Sequence, residues 1–427
     1  MGVKSSGPVR LLKTASFRKL FMGQAVSGLG DWVATFGFIA LAYDLTHNTN
    51  YVAWILIIRL VPPLLAAPFG GILADRLPRR PLMISLDIAR AGLIALVPFL
   101  NIWLIFAVAF VHEFLALFYY PARDSALPDL VPKKMLAAAN GLILASSYGT
   151  LPIAGAIFSA VRNSSSLVPA WFPFHHIINQ RPAALVFFLD SLTFLFSAAM
   201  VYRMSIPHRG AAKKNGLRDE FMEGVRYIWD NRPVRLLALG ILMAMFGGGV
   251  LFAVGIAYVR ETLNGSDSTF GWLASLWGAG MALGLLLVRK LISWRGGAYV
   301  FVASVAFCGA LLISMALVSK VFLAFAFAVP FGMAFALAIT LAMSLAQTWS
   351  DEAVRGRTLG GLQLLYRGGL AAGALIMGAV AHEVHGARLI IPLDSNQLSM
   401  IISGLLIIVS AGVSSRMLRL PKKKLSA

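Results

Sequence analysis

Apolar residues run along this chain in blocks of about 20, the length an α-helix needs to cross the hydrocarbon of a bilayer, separated by short polar segments. Twelve blocks can be placed, at residues 21–43, 52–74, 82–100, 103–120, 136–161, 184–204, 236–259, 270–288, 298–318, 321–346, 359–380 and 398–417. The pattern therefore predicts an all-α membrane protein of twelve transmembrane helices. The only long polar segment, 205–233, separates six spans from six, giving an N-terminal half at 1–204, a linker, and a C-terminal half at 234–427 with a basic tail. Within the linker Leu217, Phe221, Val225 and Ile228 recur at helical spacing, which predicts a short amphipathic helix lying on the membrane surface. A weak internal repeat supports the division: Leu136, Asn140 and Gly155 correspond at one constant offset to Leu359, Gln363 and Gly378, placing spans 5 and 11 at matching positions of parallel repeats.

Charge gives the pattern a direction. Short loops rich in Lys and Arg stay in the cytoplasm. With the N-terminus inside, the inner segments carry about 29 of the 37 lysines and arginines. The outer loops carry Arg162, Arg181, Arg260, Lys320 and Arg388, and only Arg59, Arg90 and Arg367 fall within spans. The expectation is a multi-pass protein of the plasma (bacterial inner) membrane with both termini cytoplasmic. Composition agrees, since the chain is 59% apolar and 13% charged with a mean hydropathy of +0.78, outside the range of soluble domains. The formal charge of +19 does not point to nucleic acid, because the bases are spread over loops and not gathered on one soluble face. One cysteine, Cys308, lies in an apolar run; it excludes an intrachain disulfide and reads as a structural thiol. No phosphate loop, zinc spacing or nucleophile elbow occurs, and His175-His176 is an isolated pair, so neither an enzyme nor a cofactor or metal is expected.

One loop carries a specific pattern. Gly70-Gly71-Ile72-Leu73-Ala74-Asp75-Arg76-Leu77-Pro78-Arg79-Arg80 sets an acid and three arginines between two apolar spans, which hydrocarbon cannot accommodate but a tight turn at a membrane face can. It resembles the loop between helices 2 and 3 of the major facilitator superfamily. Gly71, Asp75, Arg76, Arg79 and Arg80 match that family's pattern, while Pro78 stands where the family usually has Gly. The resemblance implies a gate, in which the acid meets the inner end of helix 11, whose exposed N–H groups attract a carboxylate. The alternative is topological, the arginines simply holding the loop inside.

The first span reads Gln24-Ala25-Val26-Ser27-Gly28-Leu29-Gly30-Asp31-Trp32-Val33-Ala34-Thr35, which puts Gln24, Ser27, Asp31 and Thr35 on one helical face. An ionised carboxylate at the depth of Asp31 costs at least ~2.5–3.5 kcal/mol unless it is paired, hydrated or protonated. Asp31 is thus either a proton carrier in a cavity or half of a structural pair with a base such as Arg59. Glu113, beside His112 in span 4, meets the same cost; Asp190 in span 6 is a third proton-coupling candidate, nearer the outer end, where it can also simply reach water. In span 5, Ser147-Tyr148-Gly149-Thr150-Leu151-Pro152-Ile153-Ala154-Gly155-Ala156 is similar to the helix 5 signature of the superfamily's antiporters at Pro152 and Gly155. Gly149, Pro152 and Gly155 also read simply as a packing face with a kink, because small residues let helices approach and Pro removes a backbone bond.

The resemblance covers essentially the whole chain, and Phe17-Arg18-Lys19-Leu20-Phe21-Met22-Gly23-Gln24 with Gly30-Asp31-Trp32 is similar to the branch that includes enterobactin exporters and macrolide efflux proteins. It implies two six-helix halves of the major facilitator fold around a cavity, opened to either side in turn. Helices 1 and 4 line that cavity in the superfamily, which brings Asp31 and Glu113 together as proton-coupling residues. The buried arginine and following glutamine-glycine pair of proton-coupled drug exporters is missing from span 4. Trp32, Phe36, Tyr148, Arg59, Gln363 and Arg367 join Gln24 as cavity candidates. The expected function is export of a small amphipathic compound by proton antiport, with a small-molecule substrate, protons and the lipid bilayer as partners and a monomeric chain. Two rivals stand: the same fold moving a lysophospholipid or taking up a nutrient, and a membrane scaffold or sensor that transports nothing.

Overall fold

A computed structural model describes residues 8–55, 57–59, 62, 78–132, 135, 139, 142–143, 146, 149–164, 167–204, 225–351, 354–384 and 393–419. Among these residues ten helices are long and apolar enough to cross a membrane. They are the first, third, fourth and sixth to twelfth of the expected spans; the second, and most of the linker with its predicted surface helix, lie largely outside the described residues, and the fifth is described mainly from residue 149 onward. The elements are α1 (Ala15–Thr46), α2 (Arg79–Leu96), α3 (Ile102–Leu130), α4 (Leu151–Ser164), a short α5 (His175–Gln180), α6 (Ala184–Tyr202), α7 (Arg232–Gly248), α8 (Val250–Ala257), α9 (Asp267–Arg295), α10 (Gly297–Ala316), α11 (Val321–Trp349), α12 (Arg355–Val384) and α13 (Ser395–Ser415). A π-helical turn, Tyr258–Thr262, continues α8.

The chain divides into two compact units, one of Met1–Leu41 with Val61–Lys213 and the other of Ala42–Leu60 with Lys214–Ala427. In the first, α2 packs against α3 and α6. The approach of α6 to α1 depends on glycine: a Cβ at Gly30 would stand 2.2 Å from both Asp190 Oδ1 and Thr193 Oγ1. Phe38 meets Phe187 edge-on at 4.9 Å, and Leu11, Phe17, Leu20, Met83, Tyr119 and Val201 close one end of the unit. The fourth span is longer than its apolar run, since α3 continues through Pro121 and Pro128 to Leu130. A proline in a spanning helix is tolerated where neighbouring groups satisfy the freed carbonyl, so Pro121 does not end the helix as a soluble-protein reading of that stretch would have it. Asn101 starts α3, its side chain accepting from the Leu104 N–H at 3.0 Å.

In the second unit α9 pairs with α11, α10 with α13, and α7 with both α12 and α13. Lipid supplies no hydrophobic drive between helices, so close backbone approach and interhelical hydrogen bonds hold such pairs. A Cβ at Gly373 would sit 1.7 Å from the Phe246 carbonyl oxygen, and one at Gly332 1.9 Å from that of Trp277. The buried Ser410 hydroxyl of α13 donates across to the Gly240 carbonyl of α7 at 2.7 Å. Ser266 and Asp394 cap α9 and α13, each in a reciprocal capping box.

Candidate functional site

Inside the first unit, four helices of apolar sequence deliver polar side chains to one place. α1 contributes Asp31, α2 contributes Asp87 and Arg90, α3 contributes His112, Glu113 and Tyr119, and α6 contributes Phe194 and Ser197. Asp87 and Arg90 are three residues apart and so share a helix face; they are 0% and 2% exposed. Arg90 Nη2 donates to Asp31 Oδ1 at 3.2 Å. Its guanidinium lies 4.1 Å over the Phe194 ring and 5.9 Å from that of Tyr119, a stacked and paired geometry that a lysine does not reproduce. Asp87 neighbours Arg90 and Ser197, and the Tyr119 hydroxyl stands 3.4 Å from Ser197 Oγ.

His112 fills the gap between the two acids singled out from sequence. It is 1% exposed, with Nε2 4.0 Å from Asp31 Oδ1 and Nδ1 3.9 Å from Glu113 Oε1, and its ring meets Phe194 edge-on at 5.4 Å. The cluster thus holds three carboxyl groups, one guanidinium and one imidazole. Arg90 lies beside two of the three acids, Asp31 and Asp87.

The other expected residues divide. Gln24 is buried, and its Oε1 accepts from Arg123 Nη1 at 2.8 Å; Arg123 also pairs with Asp124 at 2.7 Å and lies 4.9 Å over the Tyr120 ring. Thr35 turns back to the Asp31 carbonyl at 2.7 Å. Asp190 does not reach water: it is 0% exposed, and Thr193 Oγ1 donates to its Oδ1 at 3.0 Å, because the absence of a side chain at Gly30 lets α1 and α6 close over it. Phe36 is buried against Phe158 with ring centroids 5.9 Å apart, whereas Trp32, Arg59 and Arg367 are half-buried and Gln363 is exposed. Gly149 lies in a turn, and α4 opens at Leu151 with Pro152 in its first turn, where a missing N–H costs nothing; Gly155 is buried. Gly71, Asp75, Arg76 and Tyr148 lie outside the described residues. Arg79 pairs with Asp129 of α3 at 2.9 Å, and Arg80 donates to the Tyr202 carbonyl while stacking on that residue's ring at 5.2 Å.

Asp87, Arg90 as partner of Asp31, and Arg123 escaped the sequence reading. The i, i+3 spacing of an acid and a base inside the third span was the available signal for the first two. Arg123 escaped because the fourth span was ended at Tyr120. A further cluster, in the second unit, had no signal in the sequence, since it depends on the π turn. That turn aims Arg260 at Asp44 and Asp267, at 2.7 and 2.5 Å, and Glu261 at Tyr43 and at Asn396, whose Nδ2 donates at 2.9 Å.

A family model described as transmembrane secretion effector matches residues 6–422. Among individual proteins, the chain is 23% identical over 66% of its length to the MFS-type transporter YkuC of Bacillus subtilis (strain 168), and 25% identical over 62% to the MFS-type transporter YfiS of the same strain. These matches span 66% and 61% of the two relatives, less than two thirds of either length. Macrolide efflux protein A of Streptococcus pyogenes is 22% identical over 69% of this chain and 71% of its own. Among solved structures, an inward-facing bacterial homologue of the human lysosomal transporter Spinster superimposes with a TM-score of 0.77 at 14% identity, over 96% of this chain and 98% of that one. A mutant of the nucleoside transporter NupG superimposes with a TM-score of 0.72 at 12% identity, over 96% and 100%.

Proposed function

The chain belongs to the transmembrane secretion effector family of major facilitator transporters, and from that premise we propose that it exports a small amphipathic compound across the plasma membrane in exchange for protons. The observation that carries the reading is the buried cluster of Asp31, Arg90, Asp87, His112 and Glu113. Charged groups inside a membrane protein are costly enough to mark ion or proton pathways by default. A scaffold or sensor has no use for so many ionisable groups at that depth, whereas an antiporter needs groups there that can bind and release the coupling ion.

In this reading an ionised Asp31 holds Arg90. A proton arriving on Asp31 removes that attraction, and Arg90 turns to Asp87, its partner on the same helix face. α1 is thereby released from α2, the movement that opens the transport path in a chain of an N-terminal half, 1–204, a cytoplasmic linker, 205–233, and a C-terminal half, 234–427. Export is preferred to uptake because the relative with a named transport activity is an efflux protein. Trp32, Arg59, Arg367 and Gln363 remain the proposed cavity residues, with Tyr148, and the Asp75 loop the proposed inner gate. The transporter acts as a monomer with both termini in the cytoplasm. The test is flux in inside-out membrane vesicles, following macrolides, cationic dyes and siderophores. Accumulation of one class driven by an acidic lumen supports export; accumulation of none, with uptake of the same compounds into right-side-out vesicles, overturns it.

A further inference from the structure

We infer that His112 carries the proton between Asp31 and Glu113, so that the three side chains form one relay running from α1 to α3. The inference rests on the proton-coupled reading above and adds a route to it. Two features of the geometry point to it. The imidazole is buried, and its two nitrogens face different carboxylates, Nε2 towards Asp31 at 4.0 Å and Nδ1 towards Glu113 at 3.9 Å. A histidine packed only for its bulk has no need to present one nitrogen to each of two acids.

The proton balance is simple. The O–H bond of a protonated Asp31 breaks as an N–H bond forms at Nε2, leaving an Asp31 carboxylate and an imidazolium. The N–H bond at Nδ1 then breaks as an O–H bond forms on Glu113, and the ring is left neutral with its remaining proton on Nε2. Transfer in the other direction restores the first tautomer. Both separations exceed the hydrogen-bond range for proton transfer by about 1 Å, as resting sites commonly do. The gap on the Asp31 side closes if Asp31 exchanges its hold on Arg90, which depends on its charge, for the ring. The groups around the ring fit the role. Asp31 faces it from α1 and Glu113 from its own helix; Phe194 of α6 meets it edge-on, with Arg90 of α2 stacked on that ring and donating to Asp31; Asp87 lies beside Arg90, and Tyr120 lies near Asp31, Arg90 and Glu113. Arg90 opposes charge on the ring and the carboxylates favour it, the two opposing influences a carrier needs beside it.

The test needs no substrate. Full-length protein labelled with 15N-histidine is reconstituted in lipid vesicles, and the His112 signal is identified by its loss in His112→Gln. The relay predicts conversion between neutral ring and imidazolium within pH 5–8, with a midpoint displaced by on the order of one pH unit in both Asp31→Asn and Glu113→Gln. A ring that keeps a single neutral tautomer throughout, or a midpoint indifferent to both substitutions, overturns the relay. In vesicles supplied with erythromycin, His112→Gln is expected to lower gradient-driven accumulation by at least about 100-fold, while erythromycin still equilibrates down its own gradient. Equal loss of both modes contradicts a carrier role. Failure of the native protein to move erythromycin counts against the export reading and leaves the titration to decide the relay.

Discussion

Replacing Arg90 by methionine keeps much of the side-chain volume and removes the one guanidinium of the cluster. Asp31 then loses its partner at 3.2 Å and Asp87 its neighbour one turn away, while Phe194 loses the cation stacked at 4.1 Å. Removing one member of a buried pair costs about 3–5 kcal/mol, because the partner charge is left uncompensated; the lost stacking adds up to about 2 kcal/mol. Each kcal/mol moves the Tm of a unit of 150–250 residues by about 2–4 °C, so Arg90→Met is expected to lower the melting temperature in detergent by on the order of 10 °C. Circular dichroism and loss of the monodisperse chromatographic peak on heating both read this. Neutral replacement of a whole buried ion group is often harmless. Asp31→Asn and Asp87→Asn introduced together with Arg90→Met are therefore expected to recover more than half of the loss. A single variant melting within about 2 °C of the native protein, or a triple variant less stable than the single one, refutes the reasoning.

Other consequences follow from contacts elsewhere. Gly373→Ala gains up to about 1 kcal/mol of helix propensity. Its new methyl meets the Phe246 carbonyl, 1.7 Å from the ideal Cβ position, and overpacking of this kind costs about 1–3 kcal/mol or more, so net destabilisation is expected. Cys308, the chain's one thiol and buried in the same unit, reports it through earlier reaction with a thiol-reactive dye on heating; an unchanged reaction profile counts against close α7–α12 packing. Arg79→Ala and Asp129→Asn are each expected to lower stability, with a double-mutant coupling of about 0.5–1.5 kcal/mol. Strictly additive effects would show that the 2.9 Å pair contributes nothing.

Most of the helical architecture was legible because lipid imposes one rule on every span: about 20 apolar residues with the backbone bonded to itself. The ten spans among the described residues sit where the hydropathy blocks put them. Ends were less legible, since α3 runs ten residues past its apolar block on the strength of packing around Pro121 and Pro128, which hydropathy does not record. Asp31 and Glu113 stood out as isolated charges in apolar runs. Asp87 did not, lying one to two turns from Arg80 near the start of its span, where an acid can ordinarily reach water; only the packing of α2 against α3 and α6 buries it. Nor could sequence show which base meets Asp31, because that depends on the rotation of α2 about its own axis. The π turn at Tyr258–Thr262 had no local signal, since residue types there are as compatible with an ordinary helix end.

The most direct measurement is flux into inside-out vesicles carrying either the native protein or Asp31→Asn, with the lumen acidic or at the outer pH, of whichever macrolide, cationic dye or siderophore the native protein moves. Proton-coupled export predicts accumulation by the native protein only when the lumen is acidic, and none above the protein-free background for Asp31→Asn under either condition. Accumulation by the native protein that is equal with and without the gradient, or gradient-driven accumulation by Asp31→Asn matching the native rate, would contradict it.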